Sequence, residues 1–222
     1  MAFIDQFRRR TAWTAHANAR RWHAPADPWS LLHVPPARVE RWTVVSLLWG
    51  LGRVRGGDWD RPPETTRLDE TPMIVGLRQR FEKDRPWVET EYYDHVRERI
   101  DEDGSYRGFD SMEAVSSEQL PAIDALYESI RDDGYRPNRG VVYDEPVDAT
   151  RIHELEPMVL IGRNGEIIWT EGFHRYALAA IAGVEAIPVY VLQRHAAWQR
   201  VRDRAAAGEQ TEYDGHPDLR EL

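Results

Sequence analysis

The stretch from Met158 to Leu192 constrains this chain most. Met158-Val159-Leu160-Ile161-Gly162 is a short apolar run, Arg163-Asn164-Gly165 holds the Asn-Gly signal of a tight hairpin, and Glu166-Ile167-Ile168-Trp169-Thr170 supplies a partner strand. Glu171-Gly172-Phe173-His174-Arg175 follows at once and leads into the alanine-rich segment Tyr176 to Ala182, which reads as a helix stopped by Gly183. Ala186 to Leu192 reads as a further strand.

The chemistry expected of this stretch lies where strand meets helix. Unpaired amides of a first helical turn and the positive end of the helix dipole favour an anion, and Gly172 lets backbone come close to it. Phe173 belongs to the same turn, Arg175 can add a bidentate guanidinium contact, and His174 can donate to a phosphate oxygen or act as acid or base. Glu171 can accept a proton or help hold a magnesium ion that bridges phosphates. The competing structural reading is that Arg175 pairs with an acid while His174 caps the helix.

Composition narrows the classes of function. The chain has 222 residues and no cysteine, which removes disulfides, thiolate metal sites and thiol catalysis. It has no apolar run long enough to span a bilayer and no secretory leader, so the expectation is a soluble cytoplasmic protein. A net charge of −9 argues against a generally basic nucleic-acid-binding surface. The charge is uneven, since residues 1–60 carry nine Arg against five acids, and a basic N-terminal arm on an acidic body is one reading of that imbalance.

Along the rest of the chain, residues 1–23 look helical, Trp29 to Val34 reads as a short strand, and Pro25, Pro28, Pro35 and Pro36 break any longer helix. Residues 50–63 form a Gly-rich loop around Asp58, Trp59 and Asp60. It is either a flap presenting Asp58 or Asp60 to a metal or substrate hydroxyl, or a turn anchored by a buried Trp59. A helical pattern runs from Thr71 to about Ile100 with a break at Pro86. Another begins at Ser116, which has capping-box spacing to Gln119, and ends at Gly134. Tyr135 to Pro157 looks loop-rich, with Val141-Val142-Tyr143 as a short strand. Arg194 to Arg202 predicts a last helix on which Arg194 and His195 either reach the anion or sit on a solvated basic face. The acidic tail from Gly208 reads as mobile.

The box Glu171-Gly172-Phe173-His174-Arg175-Tyr176-Ala177, followed by Gly183 to Val189, resembles the G-E-R-R-x-x-A box and Ile-Pro-Val strand of the ParB/sulfiredoxin superfamily. It also looks like the G-C-H-R of sulfiredoxin and the D-G-H-H-R of archaeal free serine kinases. Leu126 to Gly134 is similar to the helix that precedes the box in ParB-like domains. The resemblance implies an α+β fold in which residues 117–192 form a small mixed sheet flanked by helices. Residues 1–116 would be an N-terminal helical extension with the Gly-rich loop, and residues 193–222 a helix and acidic tail, all in a single domain. It further implies binding of ATP or CTP with Mg2+. Phe173 stands where sulfiredoxin has its catalytic Cys, so that activity is excluded, and no helix-turn-helix follows the box.

Three functions follow as expectations. The first is a nucleotide-dependent phosphotransferase or NTPase, with Glu171, His174 and Asp58 catalytic and Glu171, Asp58 and Asp60 as metal ligands. In it Gly172, Phe173, His174, Arg175, Arg194 and His195 hold phosphates. The second is a noncatalytic module in which a nucleotide or phosphorylated small molecule controls oligomer assembly or contact with DNA. The third, nuclease activity, finds no two-metal carboxylate cluster in the sequence.

Overall fold

The computed structural model describes residues 3–138, 155–213, 215–220 and 222. Its elements are α1 (Phe3–Arg21), β1 (Leu32–Val34), β2 (Arg41–Trp42), β3 (Arg53–Arg55), β4 (Thr66–Arg67), α2 (Pro72–Glu82) and α3 (Glu91–Asp103). A helical stretch then begins as α4 (Met112–Ala114), passes through a π turn at Val115–Gln119 and continues as α5 (Leu120–Asp133). The chain ends in β5 (Met158–Ile161), β6 (Ile167–Glu171), α6 (Phe173–Ile181), β7 (Ile187–His195) and α7 (Ala196–Ala206). The fold is α+β, built on a seven-stranded mixed sheet.

The centre of that sheet is the segment that the sequence marks most clearly. β5 and β6 form an antiparallel hairpin across the Asn164-Gly165 turn, and α6 carries the chain over to β7, which runs parallel to β5 on its other side. The N-terminal region, expected to be a helical extension with one short strand at Trp29 to Val34, supplies four strands, of which β1 falls within that expected segment. β1 pairs antiparallel with the first part of β7 and β3 pairs parallel with its last part, while β2 pairs parallel with β6 and antiparallel with β4.

Side chains alternate between two cores, as the two-residue period of a strand requires. Val159, Ile161, Trp169, Ile187, Val189 and Val191 enter the larger core beneath α2, α3, α5 and α6. Met158, Leu160, Ile168, Tyr190 and Leu192 enter a smaller core closed by Ile4 and Phe7 of α1. Burial on both faces explains why β5 and β7 read as unbroken apolar runs rather than as alternating ones.

Several boundaries differ from expectation for local reasons. Ser111, not Ser116, caps the fourth helical stretch, its hydroxyl accepting from Ala114 N at 3.4 Å, and Ser116 lies inside the π turn. The tail from Gly208 is anchored: Asp218 is buried and His216 Nε2 lies 2.8 Å from Gly165 O. The expected strand at Val141-Val142-Tyr143 lies outside the described residues. Among the described residues no helix is long and apolar enough to cross a membrane.

Candidate functional site

β6 ends at Glu171, and Gly172 turns the chain into α6 with left-handed backbone angles (φ 83°, ψ 38°) that favour glycine. The close approach made by Gly172 is to Pro157, since a Cβ there would sit 2.8 Å from the proline Cβ. This replaces the expectation that the glycine makes room for an anion. Glu171 is exposed, and its carboxylate accepts from Gly172 N at 3.2 Å.

Arg175, expected on phosphate, is held by the chain itself. Its guanidinium lies 3.5 Å from the buried carboxylate of Glu156 and also contacts Asn138 Oδ1 and, at 3.5 Å, the Tyr135 hydroxyl. Glu156 in turn accepts from Tyr135 Oη at 3.1 Å and from Asn138 N. The anion beside this turn is therefore a carboxylate some twenty residues upstream, and Arg175 already has its counter-charge.

His174 faces the opposite way, its Nε2 3.1 Å from the Tyr92 hydroxyl of α3. Burial, together with the nearby Arg107, pushes its pKa down to about 3, so the imidazole is neutral across the physiological range. The expected proton shuttle or cationic phosphate contact is thereby corrected to a neutral hydrogen-bonding pair with Tyr92, whose own hydroxyl burial holds well above the ordinary tyrosine range.

Beside this pair, between the β6–α6 turn, Trp42 of β2, the start of α2 and His95 of α3, opens a cleft of about 540 Å³. Phe173 forms part of its wall, edge-on to Trp42 with ring centroids 5.2 Å apart. Tyr106 and Arg107 close the far side. They belong to a two-residue turn in which Tyr106 N donates to Phe109 O at 2.8 Å and Phe109 N returns to Tyr106 O at 2.9 Å.

Such a turn needs positive φ at both central residues, which Gly108 adopts at 91° and Arg107 at 52°. An arginine in that region costs on the order of 1–3 kcal/mol, and strain of this kind concentrates at ligand sites. Arg107 is exposed, its guanidinium 5.6 Å above the Tyr106 ring and 3.9 Å from the Met73 sulfur, and among the described residues it forms no ion pair. Burial, then Arg99 and Arg107, lowers the pKa of His95, which adds little positive charge of its own near neutral pH.

The remaining expected site residues lie elsewhere. Asp60 is buried against Arg163 in the β5–β6 turn, accepting from its backbone N at 2.7 Å and its guanidinium at 2.6 Å, and Asp58 accepts from the same guanidinium at 2.8 Å. Burial pushes the Asp60 carboxyl up, and the Arg163 hydrogen bonds outweigh that and leave it below its ordinary value. Register places that turn next to Ile161 and Ile167, at the opposite end of the hairpin from Glu171, roughly 13 Å away along the strand. The expected magnesium ligands are thus not brought together. Among the described residues no three His, Asp or Glu converge as a metal site.

Arg194 and His195 also do not reach the β6–α6 turn. Arg194 is buried 2.6 Å from Asp218, which also pairs with Arg202 at 3.2 Å and accepts from Trp198 Nε1 at 2.8 Å. His195 caps α7, its Nδ1 accepting from Ala197 N at 3.0 Å, while Nε2 lies 2.9 Å from Gly57 O. Comparison of the chain with protein-family models, with curated proteins and with solved structures gave no match.

Proposed function

We propose that the chain is a noncatalytic binding module whose cleft takes a phosphorylated small molecule carrying a flat ring, a nucleotide being the fitting class. The observation that carries this reading is Arg107, a guanidinium without an ion-pair partner among the described residues, held in a strained turn at the edge of the cleft. The phosphate meets Arg107, the ring lies against the Trp42, Tyr106 and Phe173 surface, and Glu171 accepts from sugar or base donors. The resemblance of residues 117–192 to the ParB/sulfiredoxin superfamily belongs to the same proposal, because ATP and CTP are the ligands it implies.

Binding without turnover is favoured by the chemistry of the lining. Among the described residues Glu171 is the one carboxylate that lines the cleft, and its histidine, His95, is shifted below the ordinary range. Magnesium built into the protein does not fit this donor set.

Calorimetry on the full chain with nucleoside mono-, di- and triphosphates and inorganic phosphate, with and without magnesium, tests the reading. Binding is expected, with loss of about tenfold or more in affinity on Arg107→Ala, the scale of one charge-assisted contact. No binding to any member of the panel, or unchanged affinity in Arg107→Ala, overturns it.

A further inference from the structure

The face formed by α1 and β3 carries a second groove, independent of the Arg107 cleft. On α1, Arg10, Trp13 and Arg21 fall on one stripe of the helix, and Trp49 and Arg53 face that stripe from the Leu47–Trp49 turn and from β3. Trp22 closes one end of a recess of about 260 Å³ that, among the described residues, no Asp or Glu lines. The stripe from position 10 to 21 is about 16 Å long at the helical rise.

The two walls are fixed to each other. Thr11 Oγ1 accepts from Leu51 N at 2.9 Å, Asn18 Nδ2 donates to Gly52 O at 2.8 Å, and Gly50 packs so closely on α1 that a Cβ there would overlap Thr11. The tryptophans are nonetheless open, Trp13 with 64% and Trp49 with 45% of its surface exposed. Arg53 lies 4.4 Å over the Trp49 ring, and Arg21 lies 5.0 Å over Trp22.

Among the described residues the groove's positive charge is not offset locally. The ion pair that α1 makes among the described residues is Arg8 with Asp5, which leaves Arg10 and Arg21 outside it. Burial and then Arg55 both lower the pKa of Arg53, with no carboxylate acting against them. On a chain of net charge −9 this is a concentrated exception, so its occupant must be anionic. To use the indole faces as well, the occupant must also present flat rings.

We propose that the groove between α1 and β3 binds single-stranded nucleic acid, with phosphates on Arg10, Arg21 and Arg53 and bases stacked on Trp13 and Trp49. Guanidiniums beside exposed aromatic platforms are the general means of holding a single strand without reading its sequence. A duplex keeps its base faces stacked inside, and an acidic peptide would leave the indoles unused.

Fluorescence anisotropy with a labelled thymidine or uridine oligomer of about 12 nucleotides tests this. The same measurement is made with a duplex of equal length, a polyglutamate peptide and phosphatidylserine vesicles. The single strand is expected to bind most tightly and to quench tryptophan emission. Its log affinity should fall with log salt at a slope of about −2, as three phosphate contacts require. Trp13→Ala should weaken binding roughly tenfold and Trp13→Phe should retain most of it, and circular dichroism should show both folded, since Trp13 is largely exposed. No binding at about 50 mM salt, undiminished binding by Trp13→Ala, or equal or tighter binding of the duplex, peptide or vesicles overturns the proposal.

Discussion

At the scale of single residues, the protein's charged groups divide into those that satisfy one another and those that do not. Asp218 is almost wholly buried with Arg194 and Arg202 against it. Asp218→Asn would leave the buried Arg194 guanidinium short of its counter-charge and weaken the charge shared with Arg202, so urea denaturation should show a loss of roughly 3–5 kcal/mol. A loss below about 1 kcal/mol would place these groups in water instead.

His174 behaves differently, because its proton is refused rather than shared. Its pKa of about 3 in the folded chain lies below the ordinary imidazole value, so the unfolded chain binds a proton first as pH falls. Its contribution to stability is complete above about pH 6.5 and declines toward pH 3. His95 and His216 shift in the same direction through burial, so His174→Gln should flatten the urea-midpoint profile between those values without abolishing it. An unchanged profile would contradict the burial of this imidazole.

The sequence announces His174 and Arg175 as a pair, because both follow a glycine at a strand-to-helix turn. One of its two readings separates them, with Arg175 on an acid, but it does not announce the partners, Glu156 and Tyr92, which are brought in by long-range packing. Arg107 is silent for another reason. Arginine does not signal a turn of positive φ, and only Gly108 beside it hints at one.

At the scale of elements, the two helices that shape the cleft meet at a glycine. Gly76 of α2 approaches α3 so closely that a Cβ would overlap the backbone of Tyr92. Gly76→Ala should therefore lower the melting temperature by several degrees, an overpacking cost of about 1–3 kcal/mol. It should also weaken the Arg107-dependent anion binding, since α3 carries His95 and Tyr92 together. Calorimetry on the variant checks both, and full retention of affinity would show that the cleft does not depend on this packing.

The β5–β6 hairpin, α6 and β7 were legible because each carries its own local signal: Asn164-Gly165, an alanine-rich run ending at Gly183, and an apolar strand. The strands Arg41–Trp42 and Thr66–Arg67 were not, since two residues cannot display a period of two. Their assignment comes entirely from the neighbours they pair with. The helices α2 and α3 were readable from their spacing and from Pro86, whereas the start of α4 was displaced because Ser116 imitates a cap inside a continuing helix.

At the scale of the whole molecule, β7 is the strand on which the sheet depends. Residues 32–34 pair with its first third and residues 53–55 with its last third, while β5 holds its other edge. The pairings of β1 and β3 with β7 join parts of the chain more than a hundred residues apart, so the sheet closes only after large loops have been brought together. Until β7 docks, β1 and β3 are unpaired edges beside exposed apolar side chains. Refolding should therefore fall in the slow, millisecond-to-second class, and a fragment of residues 1–186 should self-associate rather than adopt the native sheet. Stopped-flow tryptophan fluorescence and analytical ultracentrifugation measure the two. In the order of assembly, the strand that follows α6 is also the latch: until it engages, β3 has no partner to hold it, and the α1–β3 groove lacks one of its walls.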